Sequence, residues 1–270
     1  IAYQNVSGLN SLEALFIMIA YGFQIYFDFS GYCDMARGIS KMMGIELPIN
    51  FNSPYKASNI TDFWDRWHIT LTKFFTRYLY IPLGGNRKGT LRTYLNTMIV
   101  FLVSGLWHGA EWSYILWGAI HGIATIVTKI GQKRLKQRMP RVIGIIMTVL
   151  FVDAAWVFFR ATNILQAIHF FDRILKMRLD GRLISDDITG CFRLTLFKLF
   201  PPVNHLSFSG YLYTAIFLVL SVWFACVGAN AGELADVQDR NEWKVIATVL
   251  ILSISILSLT GNSTYVYQYY

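Results

Sequence analysis

Five histidines punctuate this chain of 270 residues, and three of them, His68, His108 and His121, lie within or beside apolar stretches. Ionisable side chains in such surroundings are costly to bury and point to function by default. His108 stands in Ser104-Gly105-Leu106-Trp107-His108-Gly109-Ala110, at the end of an apolar run and flanked by glycines that let other groups approach closely. A neutral imidazole there has a basic nitrogen free to take a proton, the requirement for general-base chemistry. The plainer alternative is a helix-end histidine bonded to neighbouring backbone. His68, in Trp64-Asp65-Arg66-Trp67-His68-Ile69-Thr70, shares a face with aromatic residues, and its plainer reading is a hydrogen bond inside an aromatic cluster. His121, in Gly118-Ala119-Ile120-His121-Gly122, reads as a partner in interhelical hydrogen bonding. His169 and His205 fall in a polar stretch and read as surface residues.

Other chemistries find little support. The histidines lack i, i+4 spacing and no carboxylate or cysteine pattern accompanies them, so no metal site is expected. No G-x-S-x-G turn suggests a serine nucleophile. Gly84-Gly85-Asn86-Arg87-Lys88 is too short to cradle a phosphate. Cys33, Cys191 and Cys226 are scattered and read as small apolar residues. A net charge of +8 is carried by short loops between apolar runs, which argues against nucleic acid as a partner.

The elements that position these residues are membrane helices. Hydrophobic residues make up 54% of the chain and charged residues only 15%, too little polar surface to cover a soluble core. The expected architecture is all-α: a polytopic transmembrane helical bundle in one domain over 1–270, with membrane lipid facing its apolar surface. About six runs approach the ~20 residues that a span requires. They are Leu12 to Tyr32, Leu91 to Trp107, Trp112 to Ile130, Arg141 to Phe159, Phe208 to Val227 and Lys244 to Leu259. The first run ends in two carboxylates, Asp28 and Asp34, with Arg37 and Lys41 in reach as pairing partners. Thr61 to Ile81 is amphipathic but too charged for an ordinary span, and suits an interfacial helix or one packed against a wet cavity. Asn59 or Thr61 is placed to cap it, and Pro82 with Gly84-Gly85 to close it. A further amphipathic helix is expected around Leu165 to Met177. Two basic loops, 86–92 and 132–141, suggest a shared cytoplasmic side, although the charges after 160 do not continue that pattern cleanly.

Four stretches then give the chain a resemblance. They are YFDFSGYCDMARGI (Tyr26 to Ile39), FWDRWHITLTKFFTRYLYIPLGG (Phe63 to Gly85), SGLWHGAEWSYILWGAIHG (Ser104 to Gly122) and AWVFFRA (Ala155 to Ala161). In this order they resemble the membrane-bound O-acyltransferase family, and within it the bacterial subgroup of alginate O-acetylation and teichoic acid D-alanylation proteins. The aromatic ending Tyr265 to Tyr270 is similar to that subgroup, and the IPLGG turn leans toward its acetyl branch. The resemblance implies a helical bundle with re-entrant and amphipathic helices around a tunnel, in the inner (cytoplasmic) membrane of a bacterium. It implies that His108 is catalytic, with His68 as the second histidine. Trp64, Arg66, Trp67, Trp107, Asp28 and Asp34 accompany them as substrate-binding candidates. It implies no tightly bound cofactor, with acetyl-CoA or another acyl thioester as donor substrate. The acceptor would be a polysaccharide hydroxyl or an SGNH-type periplasmic acetyltransferase partner. Family members carry further spans before the first motif, so the chain, which starts at Ile1, is expected to be N-terminally truncated. The rival classes are a transporter or flippase, which buries similar groups along a pathway, and a non-catalytic membrane scaffold.

Overall fold

Asn10 starts the first long helix. Its side chain accepts from the Glu13 amide at 2.9 Å, while the Glu13 carboxylate accepts from the Asn10 amide at 2.8 Å, a reciprocal cap on two donors that a helix end otherwise orphans. The computed structural model describes residues 3, 6–134, 139–176, 209–230 and 233. Within them α1 is Ser11–Met42. It runs ten residues past the expected boundary at Tyr32, because nothing between Cys33 and Met42 breaks a helix and an Asp34–Arg37 ion pair at 3.6 Å spans one turn of it. Asp28 and Asp34 therefore sit on a continuous helix rather than at its edge.

The amphipathic helix expected over 61–81 is broken. Ile60–Arg66 forms α2, Ile69–Phe75 forms α3, and a π-helical turn follows at Thr76–Tyr80. Asn59 caps α2, its side chain accepting from the Asp62 amide at 3.0 Å. The break at Trp67 and His68 comes from tertiary hydrogen bonds that replace helical ones. The Asn52 amide donates to the Arg66 carbonyl, and the Ile69 amide donates to the Asn50 carbonyl, both at 3.0 Å. His68 takes a left-handed backbone, φ +46°, to make the turn. Gly84 and Gly85, φ +103° and +55°, end the segment where the sequence placed its close.

Thr90–His108 is α4 and Trp112–Arg134 is α5, an antiparallel hairpin. Gly109 joins them at φ +154°, a conformation that suits glycine. The hairpin is tight because its facing positions carry no side chain. A Cβ on Gly105 would run into the Tyr114 carbonyl, and one on Gly118 into the Phe101 carbonyl. Arg141–Arg160 forms α6, Ile164–Leu175 forms α7, and Ser209–Cys226 forms α8. Helix α6 packs on α1 and α5, and α7 on α1. Ser11 Oγ donates to the Arg173 carbonyl at 2.6 Å across the α1–α7 contact. A buried node joins the turn Pro54–Lys56 to α6: Tyr55 donates to Asp153 at 3.1 Å, over the space that the missing side chain of Gly22 on α1 leaves.

The described residues contain no strand, and the fold is all-α. Three of their helices are long and apolar enough to cross a membrane: α1, α5 over Trp112–Lys133, and α6. These are three of the six runs read as spans, counted among the described residues. Helix α4 has the length of a span, but buries Asn96, Thr97 and Ser104, so its apolar character is diluted by the face it turns inward. Helix α8 lies where expected, while 244–259, His205 and Cys191 fall outside the described residues.

Candidate active site

Helices α2 to α6 enclose a cavity of about 220 Å³. On α4 its wall is Thr97, Phe101, Ser104 and His108, spaced three to four residues apart, the repeat of one helical face. On α5 it is Trp117, Thr125 and Lys129, and on α6 Trp156 and Phe159. Trp64, Trp67 and His68 close it from the broken α2–α3 segment. The two histidines of the motifs, 40 positions apart in the sequence, thus line the same cavity.

His108 is the last residue of α4. Its ring is held by aromatic edges, with centroids 4.9 Å from Trp107, 5.0 Å from Phe159 and 5.4 Å from Trp117. The imidazole hydrogen bonds to nothing among the described residues, so the helix-end bond to backbone that its sequence position allowed is not made. Both ring nitrogens are left for substrate or water.

His68 is fixed more tightly. Asn50 Oδ1 accepts from the Thr70 amide at 3.2 Å and from Thr70 Oγ1 at 2.9 Å, and lies 3.2 Å from His68 Nδ1. A backbone amide can only donate, so the atom facing it is the Asn50 oxygen. His68 Nδ1 must then carry the proton, which leaves Nε2 with a free lone pair. Asn50 Nδ2 is anchored in turn on Cys33 Sγ at 3.4 Å. Phe29 packs edge-on against the His68 ring at 4.8 Å. Burial holds the imidazole down to about 4, which keeps it neutral near pH 7.

The other candidates divide. Trp64 and Trp67 line the cavity. Trp64 Nε1 donates to His121 Nδ1 at 3.3 Å, so His121 is a buried bridge between α2 and α5, as its sequence context suggested. Arg66 is turned away from the cavity: its guanidinium pairs with Asp62 at 2.6 Å and bonds the Asn52 carbonyl at 3.3 Å. Of Arg66 and Trp67, Trp67 is the one that lines the cavity. Trp107 is 57% exposed and touches both histidine rings from outside the cavity lining. Asp28 and Asp34 are not in the lining either; Asp28 is half-buried beside Gln24, and Asp34 is exposed and paired with Arg37. No group of three or more possible metal ligands occurs among the described residues. His169 is exposed on α7.

Three residues of this region carried weaker signals. Asn50 lies in an irregular stretch with no periodicity to mark it. Lys129 is a cation near the end of an apolar run, a signal in itself inside a membrane protein. Asp153 is another, buried mid-helix in α6.

Residues 12–168 match the membrane-bound O-acyltransferase family. Across 99% of the chain, 38% of residues are identical to a peptidoglycan O-acetyltransferase of Helicobacter pylori, of which the match covers 51%. A probable alginate O-acetylase of Pseudomonas fluorescens is 49% identical over 54% of the chain and 30% of its own length. A teichoic acid D-alanyltransferase of Streptococcus thermophilus is 36% identical over 44% of the chain and 31% of its own length. The chain thus spans about half the length of the first relative, and the matches to the other two cover less than a third of theirs.

Proposed function

Because this chain belongs to the membrane-bound O-acyltransferase family, we propose that it carries the catalytic centre of a membrane-embedded enzyme that moves an acyl group, acetyl by preference, from a thioester to a hydroxyl of a cell-envelope polysaccharide or of a periplasmic partner protein. The observation that carries this reading is the shared cavity of His68 and His108, two imidazoles with free lone pairs in one half-open, aromatic-walled space. The preference for acetyl follows the higher identity to the alginate O-acetylase than to the D-alanyltransferase. The enzyme would sit in the bacterial inner membrane, with donor and acceptor approaching from opposite sides.

In the proposed step the acceptor oxygen attacks the thioester carbonyl carbon while the His108 imidazole takes the hydroxyl proton. The tetrahedral intermediate puts negative charge on the former carbonyl oxygen, where a donor such as the Trp67 indole N–H would stabilise it. Collapse breaks the carbon–sulfur bond, and the thiolate leaves with the proton held by His108. The products are an ester and a free thiol. His68, with Nε2 unprotonated, accepts a hydrogen bond from a neighbouring hydroxyl of the acceptor and orients it, which leaves the attacking O–H to His108.

His108→Ala removes the base, and the expected loss in turnover is about 10²–10⁴-fold with membrane insertion unchanged. His68→Ala lowers turnover by a smaller factor. The assay is thiol release together with mass spectrometry of cell-surface glycans, in membranes containing the full-length protein. Full activity in a well-inserted His108→Ala variant would remove His108 from the mechanism. Transport of substrate with no thioester consumed would point instead to the transporter class.

A further inference from the structure

His121 stands one layer behind the cavity. It is fully buried on α5 and absent from the lining, yet four rings that do line the cavity pack on its imidazole. Their centroids lie 5.0 Å away for Trp64 and for Trp117, and 6.3 Å away for Phe101 and for Trp156. An indole N–H can only donate, so the Trp64 bond of 3.3 Å makes His121 Nδ1 the acceptor and puts the proton on Nε2. That Nε2–H is buried and has no partner among the described residues. An orphaned donor costs free energy that phenylalanine or leucine would not, so packing alone does not explain an imidazole here. What it has and they lack is the acceptor for Trp64.

Trp64 stands on α2, which is only seven residues long, too short to be rigid by itself. Its position is set from outside, by the Asn59 cap at its start and by the Trp64–His121 bond to α5 near its end. The chain leaves α2 directly into Trp67 and His68, so the orientation of α2 fixes where the His68 imidazole enters the cavity. On its other side His121 packs on Trp117, whose ring lies 5.4 Å from that of His108. One buried side chain thus abuts the supports of both imidazoles.

We infer that His121 is a positioning residue: by accepting the Trp64 indole N–H it holds α2 against α5 and keeps His68 and His108 in register across the cavity. It touches no substrate. The inference deepens the acyl transfer proposed above and rests on it.

Two substitutions separate the hydrogen bond from the packing, because they change the two in opposite directions. His121→Phe keeps the ring volume and strands the Trp64 N–H. His121→Asn loses the ring but puts Oδ1 near the place of Nδ1, so an acceptor survives. Thiol release is measured per inserted full-length protein in membranes, well below the melting temperature of each variant, so that a difference in stability does not read out. His121→Phe is expected to lose about tenfold in kcat, the scale of one neutral hydrogen bond left unmade, with KM for the thioester held within about twofold. His121→Asn should keep more of kcat than His121→Phe. Trp64→Phe combined with His121→Phe removes both partners and should lose less than the product of the two single losses. Wild-type kcat in His121→Phe, a higher kcat in His121→Phe than in His121→Asn, or single losses that simply multiply in the double variant each overturn the positioning role and leave the acyltransferase reading standing. If His121→Phe fails to insert, Trp64→Phe decides alone. Unchanged kcat, or a loss carried by KM, overturns the role, and a loss in kcat with KM unchanged supports it. A wild type that consumes no thioester overturns the acyltransferase reading itself, and the role with it.

Discussion

At the scale of the residue, Asn50 does more than its place in an irregular loop suggests. One oxygen accepts from Thr70 twice and from His68, and so selects which imidazole nitrogen faces the cavity. The consequence is testable through pH. The His68 imidazole, held down to about 4 by burial, is neutral near pH 7, and its neutral form is lost only as pH falls through that value. Asn50→Asp keeps the acceptor but adds a charge that favours the imidazolium, so the pKa rises by about one unit or more. The acid limb of the rate–pH profile should then move to higher pH, and turnover near pH 5 should drop. Asn50→Ala should lower kcat without that displacement. A limb that stays in place in Asn50→Asp, measured on correctly inserted protein, would show that His68 protonation does not govern the rate. His108 itself was legible from its glycine-flanked position, whereas Asn50 was not. Its importance comes from two residues, His68 and Thr70, 18 and 20 positions away, and local pattern carries no trace of them.

At the scale of the element, the α4–α5 hairpin sets the cavity wall, and its glycines set the hairpin. Gly118→Leu or Gly105→Leu drives a side chain into the facing backbone, which cannot yield as a flexible side chain would. Each should cost about 1–3 kcal/mol or more in stability and reduce activity by shifting His108. Gly38 in α1 offers the contrast. A Cβ there meets nothing, so Gly38→Ala should stabilise the helix by about 0.5–1 kcal/mol. Thermal unfolding in detergent compares the three, and equal effects at Gly38 and Gly118 would deny the close approach. The sequence announced this hairpin through its apolar lengths and small residues. It did not announce the break at Trp67–His68, because the periodicity of 61–81 is helical throughout and the interruption is imposed by Asn50 and Asn52. The extension of α1 to Met42 was hidden for the opposite reason: charged residues after Tyr32 end an apolar run without ending a helix.

At the scale of the whole molecule, the helices leave broad apolar faces outward. Val142, Ile143, Ile146, Met147 and Leu150 are exposed along α6, while Asp153 on the same helix is fully buried. That inversion suits a lipid surround: the polar group is inside, bonded by Tyr55, and the apolar ones are outside. Composition made the membrane class and the all-α architecture legible at once. The convergence of His68 and His108 on one cavity needed the bundle to be assembled. The global stability of that bundle also bears on residue 68. A non-glycine residue in the left-handed region carries a penalty of about 1 kcal/mol, the reverse of the usual order in which alanine outperforms glycine. His68→Gly should therefore melt at a higher temperature than His68→Ala, although neither has an imidazole, and the opposite order would refute the strained turn. Selection for robustness alone would favour glycine at this bend, so a lineage of this fold released from chemistry would be expected to drift there.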